Sequence, residues 1–328
     1  MPAAPGRDPS LLAPPLPWGE AAADLPRQFA SREALEQQLR EFFPEAPGAL
    51  SPIRGGRRQA EALLARVQPE RYGKARNFLD GPVTRLSPYI RHGVLTLAEV
   101  REAVFARTRS RQGSEKLINE LGWRDYWQRL WQQLGDGIWR DQEELKTGHP
   151  PGAYARELPA DVAEGRTGLA CIDGFIAELH DTGWLHNHAR MWLAAYLVHW
   201  RRVRWQAGAQ WFLRFLLDGD PASNNLSWQW VASSFSHKPY FFNRGNLERY
   251  SNGSFCRSCP LSEQGCPFEA SYEQLEAELF RLLPAIRSGA EGRRRQESRR
   301  GNDARPATAR SSAFSRPPRP GKPGSSAR

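Results

Sequence analysis

The segment from residue 182 to residue 230 sets charged and amide side chains within a run that is rich in tryptophan. Trp184, Asn187 and Arg190 recur every three residues, and this helical spacing predicts an aromatic ring, an amide and a cation on one face. Pro221 then interrupts the pattern and predicts a turn. That turn concentrates further polar residues, which are Asp218, Asp220, Asn224 and Asn225. A fold that buries this segment must provide partners for many polar groups.

Two interpretations of these polar groups stay open at this point. In the first, Arg190 and Asp218 form an ordinary ion pair and the tryptophans fill a core. In the second, a large heteroaromatic ligand with ring N–H, ring C=O and phosphate groups supplies the missing partners. The second interpretation predicts a ligand site along this segment.

Composition favours one large core, because 40% of the 328 residues are hydrophobic. Twelve tryptophans contrast with two methionines, and most of them lie between Trp123 and Trp230. Tryptophan fills cores, and it also stacks on nucleobases. The clustering near the polar segment therefore indicates that some of these rings serve redox chemistry or substrate binding.

Capping and spacing signals predict helices through the body of the chain. Alternating β-branched runs bounded by turns are scarce. The predicted helix starts are Ser31, Thr96 with Glu99, Ser114, and Ser271 with Gln274. We therefore predict an all-α body over residues 31–288.

The two ends differ from the body. Residues 1–30 are rich in Pro and Ala and lack the apolar region of a signal peptide, so we expect a flexible segment. From Glu291 onward eleven Lys or Arg outnumber three acids. Residues 289–328 are too polar to fold, and this disordered basic tail either contacts DNA phosphates or keeps the protein soluble. No window suits a membrane span, so we expect a soluble cytoplasmic protein.

The segments TGWLHNHARM, DGDPASNN and WQW together resemble the FAD-binding helical domain of the photolyase and cryptochrome family. The resemblance covers about residues 55 to 285. It implies an all-α photolyase-type domain that binds FAD and uses blue light to act on, or report about, UV-damaged DNA. The family's N-terminal antenna domain has no counterpart here, so we expect FAD itself to capture light. We also expect a monomer.

The resemblance assigns FAD-binding residues in two regions. In YGKARNFLDGPVTRLSPYIRHG the matching residues are Tyr72, Thr84, Arg85, Leu86 and Ser87. Hydroxyl and backbone N–H groups near a helix start suit a pyrophosphate, although the two hydroxyl residues alone would be typical of helix caps. Elsewhere the matching residues are Arg124, Trp184, Asn187, Arg190, Asp218, Asp220 and Asn224.

The segment INELGWRDYW is similar to a family segment that contacts the DNA lesion. The resemblance implies that Glu120 hydrogen-bonds or protonates a pyrimidine dimer in a desolvated pocket, and that Trp123 stacks on the flipped lesion. Trp230 is expected to pack against the lesion, and Asn187 completes the catalytic set. The alternative is a solvated helix face on which Glu120 and Arg124 form an i,i+4 pair.

Trp228 and Trp205 match the inner members of the family's electron-transfer chain, which reduces the flavin. The outer member has no clear match, and Trp139 or Trp131 could replace it. Core packing is the alternative role for each of these rings.

Cys256, Cys259 and Cys266 form a CxxC pair followed by Cys-Pro-Phe, a pattern that resembles the prokaryotic iron–sulfur photolyases. In that branch a fourth cysteine lies on the helix before the flavin motif, where this sequence has Cys171. The resemblance implies a [4Fe–4S] cluster on these four thiolates. Tetrahedral zinc and free thiols are the alternatives.

The implied activity is light-driven splitting of pyrimidine dimers by an electron from excited reduced FAD. Asn187 favours cyclobutane dimers, whereas His186 as a proton donor would suit (6-4) photoproducts. His188 replaces an Arg of the family pattern, which predicts weaker phosphate contacts. Loss of the antenna domain's surface could favour single-stranded DNA. The alternative from another class is a cryptochrome-like photosensor, against which the lesion residues Glu120, Trp123 and Trp230 argue.

Overall fold

The computed structural model of the chain describes residues 26, 28–45, 50–108, 110–263 and 265–280, with the side chain of Arg111 left out. The predictions of a flexible N-terminal segment and of a disordered basic tail therefore lie almost wholly outside the described residues.

The described residues form helices joined by loops, which confirms the predicted all-α class. Within these residues β-pairing is limited to one isolated parallel bridge between Ala155 and Val203. No helix in the described part is both long and apolar enough to cross a membrane. The α-helices are α1 (Arg32–Phe42), α2 (Arg57–Leu64), α3 (Pro69–Ala75), α4 (Ser87–Arg91), α5 (Leu97–Arg107), α6 (Arg111–Leu134), α7 (Ala160–Ala163), α8 (Ala170–Thr182), α9 (Asn187–Ala195), α10 (Trp205–Phe215), α11 (Pro221–Ala232), α12 (Arg244–Ser251) and α13 (Tyr272–Leu279).

Three of the four predicted helix starts are confirmed by their hydrogen bonds. Ser31 caps α1, while Thr96 and Ser271 each form a complete capping box with the residue three positions later. The prediction that Ser114 opens the long helix is wrong. Ser110 has the extended backbone of a cap and accepts from the N–H of Gly113, so α6 begins at Arg111.

Two local predictions in the polar segment also need correction. Trp184 does not share a helix with Asn187, because the ring of His186 caps α9 and the helix begins only at Asn187. The predicted turn after Pro221 is the first turn of α11, since Asp220 caps that helix through the N–H of Ser223. Proline suits this first position because the missing N–H has no helical partner there.

The main core lies where α8, α9, α10 and α11 pack around the fully buried Trp192. A second core joins α2, α5 and α6 through Ala60, Val104 and Leu117. The polar residues of the sequence motif face the space between α6 on one side and α9 and α11 on the other. Both cores therefore serve to hold these three helices around one site.

Helices α10 and α11 approach closely at Gly208, against which the ring of Trp228 lies. A Cβ on Gly208 would come within 2.2 Å of Cη2 of Trp228. The indole of Trp228 is 3% exposed and has little room to move. Glycine at this position thus fixes where the Trp228 ring sits relative to α10.

We expect Gly208→Ala to lower the free energy of unfolding by about 1 to 3 kcal/mol, because the added methyl overpacks the contact with Trp228. Gly122→Ala is the matched control, since a Cβ there meets no atom within 4 Å. Alanine in that exposed helix position should instead stabilise by about 0.5 to 1 kcal/mol. Urea unfolding measures both changes, and equal effects of the two substitutions would contradict the packing argument.

Candidate functional site

A cavity of about 670 Å³ opens between α6, α9 and α11. Its size lies within the range usual for ligand sites. A second cavity of about 240 Å³ adjoins it. The residues that line both are Arg76, Asn77, Ser87, Glu120, Asn187, His188, Arg190 and Asp218.

A buried ion pair lies in the wall between the two cavities. Arg190 Nη2 donates to Asp218 Oδ2 at 2.8 Å, and its Nε donates to the carbonyl of Leu185 at 2.8 Å. The Asp218 side chain is only 3% exposed. Its other oxygen, Oδ1, is buried without a hydrogen-bond partner among the described residues. A buried acceptor of this kind suits a ligand that presents a ring N–H group.

Asp220 is held by three groups at once. Gln128 Nε2 donates to both carboxylate oxygens at 2.8 and 2.7 Å, and the N–H of Ser223 donates to Oδ1 at 2.8 Å. Arg124 Nη2 lies 3.8 Å from Oδ2. Asp220 therefore ties α6 to the start of α11, and it lines the larger cavity at the same time.

The first turn of α11 adds polar groups to the same wall. Asn224 Nδ2 donates to the carbonyl of Ala209 at 3.0 Å and to Asn225 Oδ1 at 3.1 Å. This arrangement leaves Oδ1 of Asn224 as the acceptor of a cavity-lining amide. The hydroxyl of Ser223 also lines the cavity and is buried without a described partner.

The smaller cavity gathers most of the predicted phosphate-side residues. Tyr72, Thr84, Arg85, Ser87 and Trp184 line it. Arg85 has a positive φ of 52°, and its guanidinium lies 4.4 Å from the centre of the Trp184 ring. Burial raises the pKa of Tyr72 above its usual range, and the nearby Glu120 carboxylate adds to this.

Leu86 differs from its neighbours in that segment. Its side chain is 1% exposed and packs in the second core, and it is absent from the lining of both cavities. The side chain of Leu86 therefore contributes to a ligand site only by anchoring the backbone between Arg85 and Ser87.

Two half-exposed tryptophans stand at the cavity mouth. Trp123 is 51% exposed and Trp230 is 42% exposed, and both line the larger cavity. Trp127 stacks against Trp123 with ring centres 5.2 Å apart, and Tyr240 lies 5.5 Å from Trp230. Exposed rings at the mouth of a cavity offer stacking faces to a planar partner.

Glu120 lies beside these rings. The prediction that it lies in a desolvated pocket is wrong. Its side chain is 38% exposed and lies 3.3 Å from Lys116 Nζ and 3.6 Å from Arg76 Nε. The predicted alternative pairing with Arg124 is also not found, since Arg124 lies near Asp220. Glu120 is thus an accessible, cation-paired carboxylate at the junction of both cavities.

The two histidines of the motif are buried. Burial lowers the pKa of His186 to about 4, and neighbouring His188, Arg190 and Arg85 add to this. His186 Nδ1 accepts from the N–H of His188 at 3.1 Å, so the ring serves as a helix cap. His188 stacks on Trp192 at 4.3 Å and pairs through Nδ1 with the carbonyl of Asn77 at 2.8 Å. It lines both cavities from the inside and is 7% exposed.

Trp228 and Trp205 take different positions relative to the cavity. Trp228 lines it, whereas Trp205 is 2% exposed on α10 and belongs to the main core. Trp205 Nε1 donates to Asp141 Oδ1 at 2.5 Å. Trp139, one of the two proposed outer rings, is half-buried, and its carbonyl accepts from Gln206 at 3.5 Å.

All four cysteines line a separate small cavity, where Cys171 on α8 meets the loop that follows α12. All four are free thiols. Burial raises the pKa of Cys171 to about 12, and the closeness of Cys256, Cys259 and Cys266 adds to this. Burial likewise raises the pKa of Cys256 to about 11 and that of Cys266 above its usual range. Within the described residues, no three His, Cys, Asp or Glu side chains are arranged to hold a metal ion.

The structure adds cavity residues that the sequence did not reveal. Arg76 and Asn77 come from the end of α3, and Gln128 holds Asp220 from α6. Tyr240, Asn246 and Tyr250 reach the cavity from beyond α11. None of these belongs to a dense local motif, so only the fold brings them to the site.

Comparison with known proteins matches the middle of the chain to a known domain. Residues 117–255 match the family model described as the FAD-binding domain of DNA photolyase. This region contains most of α6 and all of α9 and α11, the helices between which the larger cavity opens.

Named relatives agree with this match. The chain is 35% identical to a deoxyribodipyrimidine photo-lyase of Thermus thermophilus over 70% of its length, and 30% identical to that of Vibrio cholerae over 71%. It spans 52% and 47% of these two proteins, about half of each. The crystal structure of a Synechocystis cryptochrome superposes with a TM-score of 0.56 at 25% identity, over 64% of this chain and 47% of that one.

Proposed function

The chain contains the FAD-binding domain of the photolyase and cryptochrome family, and on this premise we propose that it splits UV-induced pyrimidine dimers in DNA with blue light. One observation carries the proposal. Two half-exposed tryptophans, Trp123 and Trp230, stand at the mouth of a cavity whose inner wall holds a buried carboxylate oxygen without a partner. The mouth suits an extruded base, and the wall suits a flavin.

FAD fits the chemistry of the two adjoining cavities. Asp218 Oδ1 and the Ser223 hydroxyl are buried groups that need a partner, and Asn224 offers a further acceptor. On the smaller side, Arg85 and the hydroxyls of Thr84 and Ser87 suit phosphate oxygens. When bound and reduced, FAD supplies the excited-state electron that splits the dimer.

The residues at the mouth would hold the lesion. Extruding a base costs a few kcal/mol, and the cost is lower at a damaged site. Stacking on Trp123 and Trp230 would return about 1 to 3 kcal/mol per base. Glu120 lies at the junction of the two cavities, where an accessible carboxylate can accept hydrogen bonds from a pyrimidine ring.

Cyclobutane dimers are the favoured lesion. Repair of a (6-4) photoproduct would need a proton donor, and His186 was the candidate for this role. Its pKa of about 4 keeps it neutral at neutral pH, and its Nδ1 is engaged as a helix cap. Asn187 lines both cavities and offers a neutral amide instead. We propose single-stranded DNA as the better substrate, since extrusion from it breaks no base pair.

Trp228 and Trp205 are proposed to carry electrons to the flavin. The position of Trp228 in the cavity wall and the close contact of α10 with its ring at Gly208 support this order. Trp205 lies one helical turn before Gly208 on α10 and is not among the residues that line the cavity.

The four cysteines are proposed to hold a [4Fe–4S] cluster. Their convergence on one cavity supports a shared metal centre. Four thiolates are the usual ligand set of a [4Fe–4S] cluster, and a tetrahedral zinc site with four cysteines is the alternative.

We expect Cys259→Ser to lose the visible absorption shoulder of the cluster together with its iron and acid-labile sulfide. Ser262→Ala, which changes a neighbouring wall residue of the same cavity, should keep all three. Metal analysis of the unmodified protein should give about four irons per chain. Stoichiometric zinc without iron would overturn the cluster assignment, and unchanged metal content in Cys259→Ser would remove this residue from the ligand set.

We expect chemically reduced protein to repair a thymine-dimer oligonucleotide under blue light and not in the dark. Trp230→Ala should weaken binding of the damaged strand by about 5- to 150-fold, the equivalent of 1 to 3 kcal/mol of lost stacking. Tyr272→Ala is the control, because Tyr272 is 42% exposed but lies outside both cavities. Measurements with single- and double-stranded DNA compare the two substrates. An FAD-loaded protein that repairs no dimer in light would favour the photosensor instead.

A further inference from the structure

Asp141 receives a short hydrogen bond from a buried indole. Trp205 Nε1 lies 2.5 Å from Asp141 Oδ1, and Trp205 is only 2% exposed. Asp141 itself is exposed and lies two residues after the 3-10 helix Gly135–Trp139. Gln206 Nε2 also approaches the same oxygen, at 3.4 Å. A buried N–H is thus joined directly to a carboxylate that reaches water.

The position of this pair relative to the cavity is set by α10 and α11. Trp228 lines the cavity and packs against Gly208, which lies one turn after Trp205 on α10. Trp205 and Gly208 are three residues apart, so Trp205 lies on the face of α10 against which the ring of Trp228 packs. Trp228 lines the cavity, Trp205 is buried outside its lining, and Asp141 is exposed to water.

We propose that Asp141 accepts the indole proton of Trp205 when Trp205 gives up an electron, and that the electron chain therefore ends at Trp205. The proposal rests on the electron path proposed above for Trp228 and Trp205. It also removes the need for an outer ring, for which neither Trp131 nor Trp139 was a clear match.

One electron passes from Trp228 to photoexcited oxidised FAD, and one electron from Trp205 then refills Trp228. The Nε1–H bond of Trp205 breaks and its proton forms an O–H bond on Asp141, leaving a neutral indolyl radical and a neutral carboxylic acid. The acid returns its proton to water. A thiol reductant in solution restores Trp205 by giving one hydrogen atom, and the thiol becomes a thiyl radical.

Loss of the indole proton prevents the transferred electron from returning to Trp205. An indole that has lost an electron is a cation in a buried site, where an uncompensated charge is costly. Loss of the proton removes this charge at once, because the acceptor is already in hydrogen-bond contact and no reorganisation is needed. Return of the electron then requires return of the proton as well. A carboxylate placed this way lengthens the lifetime of the separated charges.

Asp141→Asn tests the proposal, because the amide keeps the size and the hydrogen-bond acceptor of Asp141 but cannot take a proton. Asp136→Asn is the matched control, an exposed acid within the neighbouring 3-10 helix. Transient absorption of the FAD-loaded full chain after a light pulse identifies the oxidised tryptophan as cation or neutral radical. Equal FAD content of the variants verifies the fold.

In the unmodified protein and in Asp136→Asn we expect the neutral tryptophan radical to appear as fast as the signal of the tryptophan cation decays. In Asp141→Asn we expect deprotonation to be about 100-fold slower, the lower end of what a positioned base contributes, with a lower yield of reduced flavin. The same radical kinetics in Asp141→Asn and the unmodified protein would overturn the proposal.

Two further variants separate this proposal from the electron path on which it rests. Trp205→Phe should abolish the long-lived tryptophan radical, and an unchanged radical there would mean that the path itself is wrong. Trp139→Phe should change nothing, because the chain ends at Trp205. A lower radical yield in Trp139→Phe would show that Trp139 gives an electron to oxidised Trp205. This result too would overturn the role of Asp141.

Discussion

The buried ion pair between Arg190 and Asp218 is the constraint on which the site depends. A carboxylate that is 3% exposed is tolerated only when a cation and hydrogen bonds compensate it. Removal of Arg190 would leave that charge unpaired, at a cost of about 3 to 5 kcal/mol. Because the pair joins α9 to the residues before α11, it fixes the wall that separates the two cavities. Oδ1 of Asp218, which has no hydrogen-bond partner among the described residues, is then left to accept a hydrogen bond from a ligand.

Much of this site could be predicted from the sequence because its residues are close in the chain. One helix cap and one helical turn at the start of α11 bring three residues of the site to the same wall of the larger cavity, namely Asp218, Asp220 and Asn224. Trp184 and its place relative to α9 were not predictable in the same way. His186 caps that helix with its ring, a role that the usual capping residues Ser, Thr, Asp and Asn normally fill. The prediction from spacing therefore included Trp184 in α9, although this helix begins at Asn187.

Residues that act singly and at long range escaped prediction. Gln128 holds Asp220 from 92 positions earlier, and Asp141 meets Trp205 from 64 positions earlier. Neither lies in a motif, and an isolated Gln or Asp on a polar helix or loop has no sequence signal that distinguishes it from a solvated residue. The pairing of Glu120 with Arg76 was missed for a related reason, since Arg76 follows α3 and the contact depends on the packing of α3 against α6. The pairing with Lys116 is an i,i+4 contact within α6, which helical spacing alone could have indicated.

The central claim is that the cavity between α6, α9 and α11 binds FAD, and an FAD titration of the FAD-depleted chain tests it most directly. Binding of one FAD per chain should raise the free energy of unfolding with ligand concentration, by about 2.7 kcal/mol when free FAD is 100 times its Kd. We predict this stabilisation because bound FAD would satisfy buried groups, such as Asp218 Oδ1, that have no partner in the described part of the chain. A chain that unfolds at the same urea concentration with and without saturating FAD would contradict the account.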